Sequence, residues 1–296
     1  MTSVEGKSIA FIGLGAIGSP MAGHLLENGA RLIVHTRSSV KQESWLAAHP
    51  RAVGASSSAE AAAQADVVVT CVGDDSDLAD VYQGPTGVLS HLRRGALVID
   101  HTTASAEIAR DLEAGAASKQ AGFVDAPVSG GSAGAENRAL SIMVGGDEAA
   151  YERAIPILEV YGRTISRMGP AGSGQIAKMV NQICIAGVLQ GLAEGLGLAV
   201  ASGLDTARLL HVMAGGAAGS WQMNNRSSFM LSESFEAGFT VRLMHKDLGL
   251  ATSASARNQL DSPVAELVRD RYAELINRGL GHEDFSNLFR LVISHF

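Results

Sequence analysis

The sequence predicts an α/β protein in two parts: a doubly wound, mostly parallel sheet over residues 1–168 and an all-helical domain over residues 169–296. Strand-like and helix-like runs alternate through the first part, which is the pattern of a parallel sheet with helices on both faces. Asp66 to Val72 (DVVVTCV) and Ala96 to Asp100 (ALVID) are apolar throughout and too short for helices, as suits strands covered on both sides. Near Met168-Gly169-Pro170-Ala171-Gly172 the texture changes, and helical patterns follow.

Taken in order, Ser8 to Ile12 reads as a strand and Ile17 to Glu27 as a helix. Arg31 to His35 is a second strand, and Val40 to Ala48 is helical. The two apolar runs come next, then an Ala-rich helix at Ala104 to Ala117 and a strand at Gly122 to Asp125 before PVSGG. Beyond the boundary, helices are expected over Gln175 to Ser202, Asp205 to Met213, Met244 to Arg257, Pro263 to Arg278 and Phe285 to Ile293. No internal repeat and no low-complexity tail is evident in the sequence.

Composition narrows the function. With 46% hydrophobic and 18% charged residues, a chain of 296 residues can bury a substantial core. A formal net charge of −7 argues against a general nucleic-acid or anionic-membrane surface, though not against a local phosphate pocket. Cys71 and Cys184 lie in apolar runs without metal-ligand spacing and are expected to be buried free thiols in a reducing compartment. The N-terminus has no apolar signal core. The most apolar stretch, Ile176 to Val200, is interrupted by Lys178, Asn181, Gln182, Gln190 and Glu194. It is expected to be a buried helix rather than a membrane span, and the protein cytoplasmic.

Phe11-Ile12-Gly13-Leu14-Gly15-Ala16-Ile17-Gly18 places G-x-G-x-x-G directly after the first strand, at the opening of a helix. Gly13 permits a tight turn, Gly15 lets a pyrophosphate approach the backbone, and Gly18 lets the helix pack on the strand. The helix N-terminus offers free N–H groups and positive potential. This makes the sheet a Rossmann-type, dinucleotide-binding one; three packing glycines without a ligand are the weaker alternative. At the end of the second strand, where NAD-binding units carry an acid, the sequence reads His35-Thr36-Arg37-Ser38-Ser39. Arg37 suits a 2′-phosphate or an adenine face, and Ser38 can donate a hydrogen bond, so NADP is expected over NAD. A solvated arginine in a surface turn is the alternative.

Asp125-Ala126-Pro127-Val128-Ser129-Gly130-Gly131 follows a strand, and its Ser-Gly-Gly turn can present a hydroxyl and consecutive backbone N–H groups to a small carboxylate. An ordinary turn would read the same. Gly172 to Gln182 (GSGQIAKMVNQ) opens the long helix of the second part, with Lys178, Asn181 and Gln182 on one face. A lysine among apolar residues is costly unless it has a task; one whose head reaches solvent at the domain edge is the alternative.

These segments together resemble the β-hydroxyacid dehydrogenase family, which includes 3-hydroxyisobutyrate dehydrogenase. The resemblance runs over nearly the whole chain: FIGLGAIGSPMA, DHTTAS at Asp100 to Ser105, DAPVSGG at Asp125 to Gly131, MVGGD at Met143 to Asp147, GSGQIAKMVNQ, and MHKDLGLA at Met244 to Ala251. It implies a hydride-transfer enzyme acting on a small 3-hydroxy acid or its semialdehyde. Lys178 would be the acid–base lysine, with Ser129, Gly130 and Gly131 holding the substrate carboxylate and Asn181 orienting substrate or lysine. Val72, Gly73 and Thr103 would line the cofactor, and Lys246 would reach it from the helical domain with Asp247 beside it. A homodimer or homotetramer formed through the helical domain is implied as well.

The chain departs from the family in two places. Some relatives have Asn four residues after the lysine, where Gln182 stands here, so either Asn181 or Gln182 is the substrate contact. Thr36-Arg37 replaces the acid of NAD-using relatives. Two other readings compete: a reductase of imines or bulky aldehydes on the same fold, and a catalytically silent cofactor-binding protein. Imine reductases generally lack the lysine, and a silent protein would be expected to have lost it; Lys178 argues against both. Trp221 could wall a pocket or sit in a core, and is left outside the site.

Overall fold

The computed structural model describes residues 4–236 and 238–293. Its first six strands are β1 (Ser8–Ile12), β2 (Arg31–His35), β3 (Val53–Gly54), β4 (Val67–Thr70), β5 (Leu97–Asp100) and β6 (Gly122–Asp125). They pair in parallel in the order β3-β2-β1-β4-β5-β6. The chain leaves β1 toward β2 and β3, then returns to place β4 on the other side of β1. That reversal leaves a crevice at the carboxyl ends of β1 and β4, where open α/β sheets take ligands.

Alternation within each strand explains why the central runs are apolar throughout. Val67 and Val69 of β4, with Leu97 and Ile99 of β5, join the core on one face; Val68 and Val98 join the core on the other. Burying both faces of each strand removes the polar alternation of a half-exposed sheet.

The sheet is not wholly parallel. After β6 come β7 (Val128–Ser129), β8 (Leu140–Gly146) and β9 (Gly162–Gly169). β8 runs antiparallel to β6 and β7, and β9 pairs parallel to β8. Leu140, Ile142 and Val144 of β8 alternate into the core.

Two compact units divide within the long helix Ser173–Ala201, one ending at Lys178 and the other beginning at Met179. The second unit's helices also include Thr206–Ala214, Trp221–Leu231, Val241–Arg257 and Pro263–Asn277, with a 3₁₀ turn at Phe285–Asn287 leading into Leu288–Ile293. Leu189, Leu196, Met230, Leu248, Tyr272 and Leu288 are in its core, and the Tyr272 hydroxyl donates to the Phe285 carbonyl at 3.0 Å. The Trp221–Leu231 helix was not anticipated, because its polar run NNRSS hides the apolar stripe.

Two burial expectations fail. Cys184 is exposed and Cys71 only partly covered. The Ser173–Ala201 helix is not buried all round, since Ile176, Val180, Val188, Leu198 and Val200 are exposed. By length and composition it would suffice to cross a membrane. An apolar run reports total hydrophobicity, and burial on one helix face already satisfies the fold.

Candidate active site

The glycine turn is shaped by what a side chain would strike. Gly13 has φ of +102°, and a Cβ there would collide with the Cys71 carbonyl. A Cβ on Gly18 would collide with the carbonyl of Gly13, so the helix Gly18–Glu27 could not begin so close to β1. Gly15 is different: it is exposed, with nothing among the described residues within 4 Å of the place a Cβ would take. The helix has no side-chain cap and no acid in its first turn. Its first N–H groups therefore face outward beside open space, a cradle that fits a dinucleotide pyrophosphate.

At the end of β2, Thr36 N–H donates to Gln42 Oε1 at 3.0 Å, and the Ser38 hydroxyl caps the Ser39–Ala48 helix. Arg37 reaches across to Asp77, Nη1 to Oδ1 at 3.1 Å, with its side chain 89% exposed. The other Asp77 oxygen accepts from Gly73 N–H at 3.0 Å. Val72 N–H donates to Thr102 Oγ1 at 3.1 Å, and Thr103 beside it is half-buried. The Gly13–Gly18 turn, the 36–38 turn and the 72–73 and 102–103 loops thus all follow carboxyl ends of parallel strands.

Beneath them lies a buried polar row. Thr70, Asp100 and Asp125 are register partners across β4, β5 and β6, each fully buried. Asp100 Oδ1 accepts from Thr70 Oγ1 at 2.6 Å and Thr102 N–H at 3.1 Å, while Oδ2 has no hydrogen-bond partner among the described residues. Burial pushes the Asp100 carboxyl up to about 7, against the opposing pull of these hydrogen bonds. Burial likewise pushes His101 down to about 4. Its Nδ1–H then donates to the Ala126 carbonyl at 2.6 Å, and Nε2 accepts from the Tyr161 hydroxyl at 2.8 Å.

From β6 the chain runs through Ser129, half-buried at the end of β7, to Gly130 and Gly131, whose φ values of +134° and +64° favour glycine. Gly130 supplies no side-chain cap to the following turn. Lys178 is 5% exposed, so its head does not lie out in solvent. The helix that carries it starts against Asp125: Oδ1 accepts from Gly172 N–H at 2.7 Å and Oδ2 from Gln175 N–H at 2.9 Å. The Gln175 side chain is tied to the Thr102 carbonyl and to Ala104 N–H.

In the second unit, Asn181 Nδ2 donates to Gln182 Oε1 at 2.8 Å, and Gln182 Nε2 donates to Asp247 Oδ2 at 2.7 Å. Lys246 Nζ is 3.1 Å from the other oxygen of Asp247. Both ends of the Gln182 amide are therefore engaged within the protein. Trp221 is no core residue: it is 57% exposed, with the Arg226 guanidinium 5.4 Å from its ring. Sequence reasoning passed over Asp77 and Gln175 and gave Asp125 no role. Only the position of Gln175, one turn before Lys178, was a signal for any of them.

An open glycine cradle at the switch point of a doubly wound sheet defines a dinucleotide-binding domain. Residues 8–169 match the model of the NAD binding domain of 6-phosphogluconate dehydrogenase. Residues 172–292 match that of the NAD-binding domain of NADP-dependent 3-hydroxyisobutyrate dehydrogenase. An oxidoreductase of Shewanella frigidimarina is 46% identical over 267 residues, 90% of this chain and 91% of that one. The NAD-dependent L-serine dehydrogenase of Pseudomonas aeruginosa is 36% identical over 96% of this chain and 97% of its own length. The solved structure of Mycobacterium tuberculosis 3-hydroxyisobutyrate dehydrogenase with L-serine is 33% identical with a TM-score of 0.86, covering 97% of this chain and 99% of that one. The chain belongs to the β-hydroxyacid dehydrogenase family, enzymes that act on CH–OH donors with a nicotinamide cofactor.

Proposed function

We propose that this enzyme interconverts a small 3-hydroxy acid and its semialdehyde, with NADP(H) as the preferred cofactor and Lys178 as general acid–base. The observation that carries the reading is the burial of Lys178, at 5% exposure, on the helix anchored to the strand that leads into Ser129–Gly131. A bound nicotinamide supplies the hydride acceptor. The chain's own residues orient the substrate and move the proton. The Ser129 hydroxyl and the Gly130 and Gly131 backbone hold the carboxylate. The neutral Lys178 amine takes the hydroxyl proton as the C–H bond breaks, and the ammonium returns it in the reductive direction. Asn181 is the amide that addresses substrate or lysine, because both ends of the Gln182 amide are engaged, by Asp247 and by Asn181, whereas the bond to Gln182 uses only the NH2 of Asn181.

Arg37 supports the preference for NADP, since no acid stands in its turn to accept from ribose hydroxyls. The exposed apolar residues Val180, Val188 and Leu198, on one side of the Ser173–Ala201 helix, support a homodimer or homotetramer. The interruption of this apolar run by Lys178, Asn181, Gln182, Gln190 and Glu194 supports a cytoplasmic protein over a membrane-spanning one. The test is a screen of 3-hydroxyisobutyrate, serine and related hydroxy acids, semialdehydes and cyclic imines, read by nicotinamide absorbance with each cofactor. Turnover of a 3-hydroxy acid with NADP is expected; turnover of imines alone would overturn the reading.

A further inference from the structure

We propose that Asp125 and Gln175 are positioning residues that set where Lys178 stands. Asp125 does so by capping the lysine helix from a neighbouring strand, and Gln175 by fastening the same turn to the Thr102–Ala104 loop. The inference rests on Lys178 being the group that moves the proton.

The residue before the helix is Gly172, with φ of +87° and no side chain to offer as a cap. The cap is Asp125, 47 residues earlier, whose two oxygens take Gly172 N–H and Gln175 N–H at opposite ends of the first turn. The Gly174 N–H also bonds to this carboxylate. The fit is too close for any other backbone. A Cβ on Gly174 would collide with the Met143 carbonyl and lie 2.8 Å from both the Asp125 carbonyl and its Oδ2, and one on Gly145 would collide with Asp125 Oδ1 and lie 2.8 Å from Oδ2 and from Gly174 N. The glycines of MVGGD and GSGQ therefore make room for a protein carboxylate. Burial pushes that carboxyl up, and the backbone N–H donors oppose it.

Gln175 is fully buried, its Oε1 accepting from Ala104 N–H at 3.0 Å and its Nε2 donating to the Thr102 carbonyl at 2.7 Å. Lys178 follows three residues later in the same helix. In an α-helix three residues fix a rise of about 4.5 Å and a set rotation, so a pinned Gln175 sets both the height and the bearing of Lys178. Asp125 also stands four residues before Ser129 on the chain. One carboxylate thus joins the start of the substrate turn to the start of the lysine helix. Reactions that depend on such alignment lose about a hundredfold for a displacement near 1 Å.

The test uses Asp125→Asn and Gln175→Glu, each alone and in a Lys178→Ala background, with kcat, KM, NADPH affinity and Tm measured. Asparagine keeps one acceptor but turns an NH2 toward a backbone N–H; glutamate keeps the Ala104 bond and loses the Thr102 bond. Each single variant should lower kcat by about ten- to a hundredfold with NADPH affinity within about twofold. In the Lys178→Ala background the same changes should lower the residual rate no further. An equal factor in both backgrounds, or no loss in either, overturns the inference while leaving the lysine assignment standing. Near-normal kcat in Lys178→Ala itself overturns that assignment and this inference with it. If Asp125→Asn does not fold, Gln175→Glu carries the comparison with the same expected result.

Discussion

The helices Gly18–Glu27 and Ser173–Ala201 both begin at turns rich in glycine, and they treat their first N–H groups in opposite ways. The first has Ile17 at its cap position, no side-chain cap, no acid in its first turn and open space beside Gly15. The second is filled by the Asp125 carboxylate, packed so closely that Gly145 and Gly174 leave it only backbone for walls. Both ends carry the same positive potential. One is left for an anion from outside, and the other is consumed by an anion of the chain. Two similar glycine patterns therefore differ in what they leave: Gly15 leaves open space before its helix, while Gly145 leaves room for the Asp125 side chain.

The largest effect expected lies beyond the filled end. Lys178→Ala should lower kcat by roughly 10²–10⁴ while NADPH still binds, the usual range for a positioned proton donor. Lys178→Arg should do little better, because a guanidinium does not release its proton at working pH. Near-normal turnover by either variant would remove the lysine from proton transfer. At the open end the pattern should invert. Gly15→Ala meets nothing within 4 Å among the described residues, so Tm should hold, yet its methyl enters the space assigned to the pyrophosphate. Cofactor Kd should rise by at least about tenfold, the equivalent of losing one charge-assisted hydrogen bond. A variant that binds cofactor normally would show that Gly15 gives no access, and the contrast between the two ends would collapse.

Much of this contrast was legible in the sequence, and the reasons for the remainder are physical. The strands β1, β2 and β6 and the helix at Pro263–Asn277 stand out because periodicity is a local property. The glycine turn stands out because its three glycines sit at fixed spacing after a strand. The partners of buried polar groups are a different matter, since they come from far along the chain. Asp247 takes the Gln182 amide from 65 residues away, and Asp125 reaches Gly172 from 47. No pattern near Gln182 says that its amide is engaged. Exposure was illegible for a related reason: Cys184 sits in an apolar run, but one face of its helix is uncovered.

The buried row beneath the open end offers a pH test. The carboxyl of Asp100 rises from an ordinary 3.8 to about 7 in the fold, so its contribution is full below about pH 4 and is lost as pH climbs through 7. His101 falls from 6.5 to about 4, so its contribution is full above pH 6.5 and is lost as pH drops through 4. The two trends oppose each other over nearly the same window and flatten the stability curve of the native protein. Asp100→Asn removes one of them. It should raise stability at pH 8, by on the order of 2 kcal/mol once relaxation of the buried site is allowed for. It should also unmask a loss between pH 6.5 and 4 that wild type does not show. Denaturant unfolding at pH 4.5, 6.5 and 8 reads both effects, and parallel curves for the two proteins would mean that Asp100 titrates normally.

The smallest effect expected concerns which cofactor the open end prefers, and Asp77 is the reason it is small. Arg37 can give a 2′-phosphate a charge-assisted hydrogen bond, typically worth about 1.5–3 kcal/mol. It is already paired with Asp77 at 3.1 Å, so a phosphate must share the guanidinium with a carboxylate or displace it. The pair is largely exposed on the Arg37 side, and such pairs contribute about 0–1 kcal/mol, which limits the competition without removing it. The difference leaves about 1–2 kcal/mol for the phosphate, or roughly a tenfold change in affinity. Arg37→Ala should therefore weaken NADPH about tenfold and NADH no more than about threefold, since only NADPH carries the phosphate. Raising the salt concentration should narrow the gap in wild type, because Arg37 would meet the phosphate through a largely exposed charge. Equal losses for the two cofactors would mean that Arg37 meets the adenine rather than the phosphate. A wild type that binds NADH more tightly would mean that Asp77 wins the competition, and the preference proposed for NADP would fall with it.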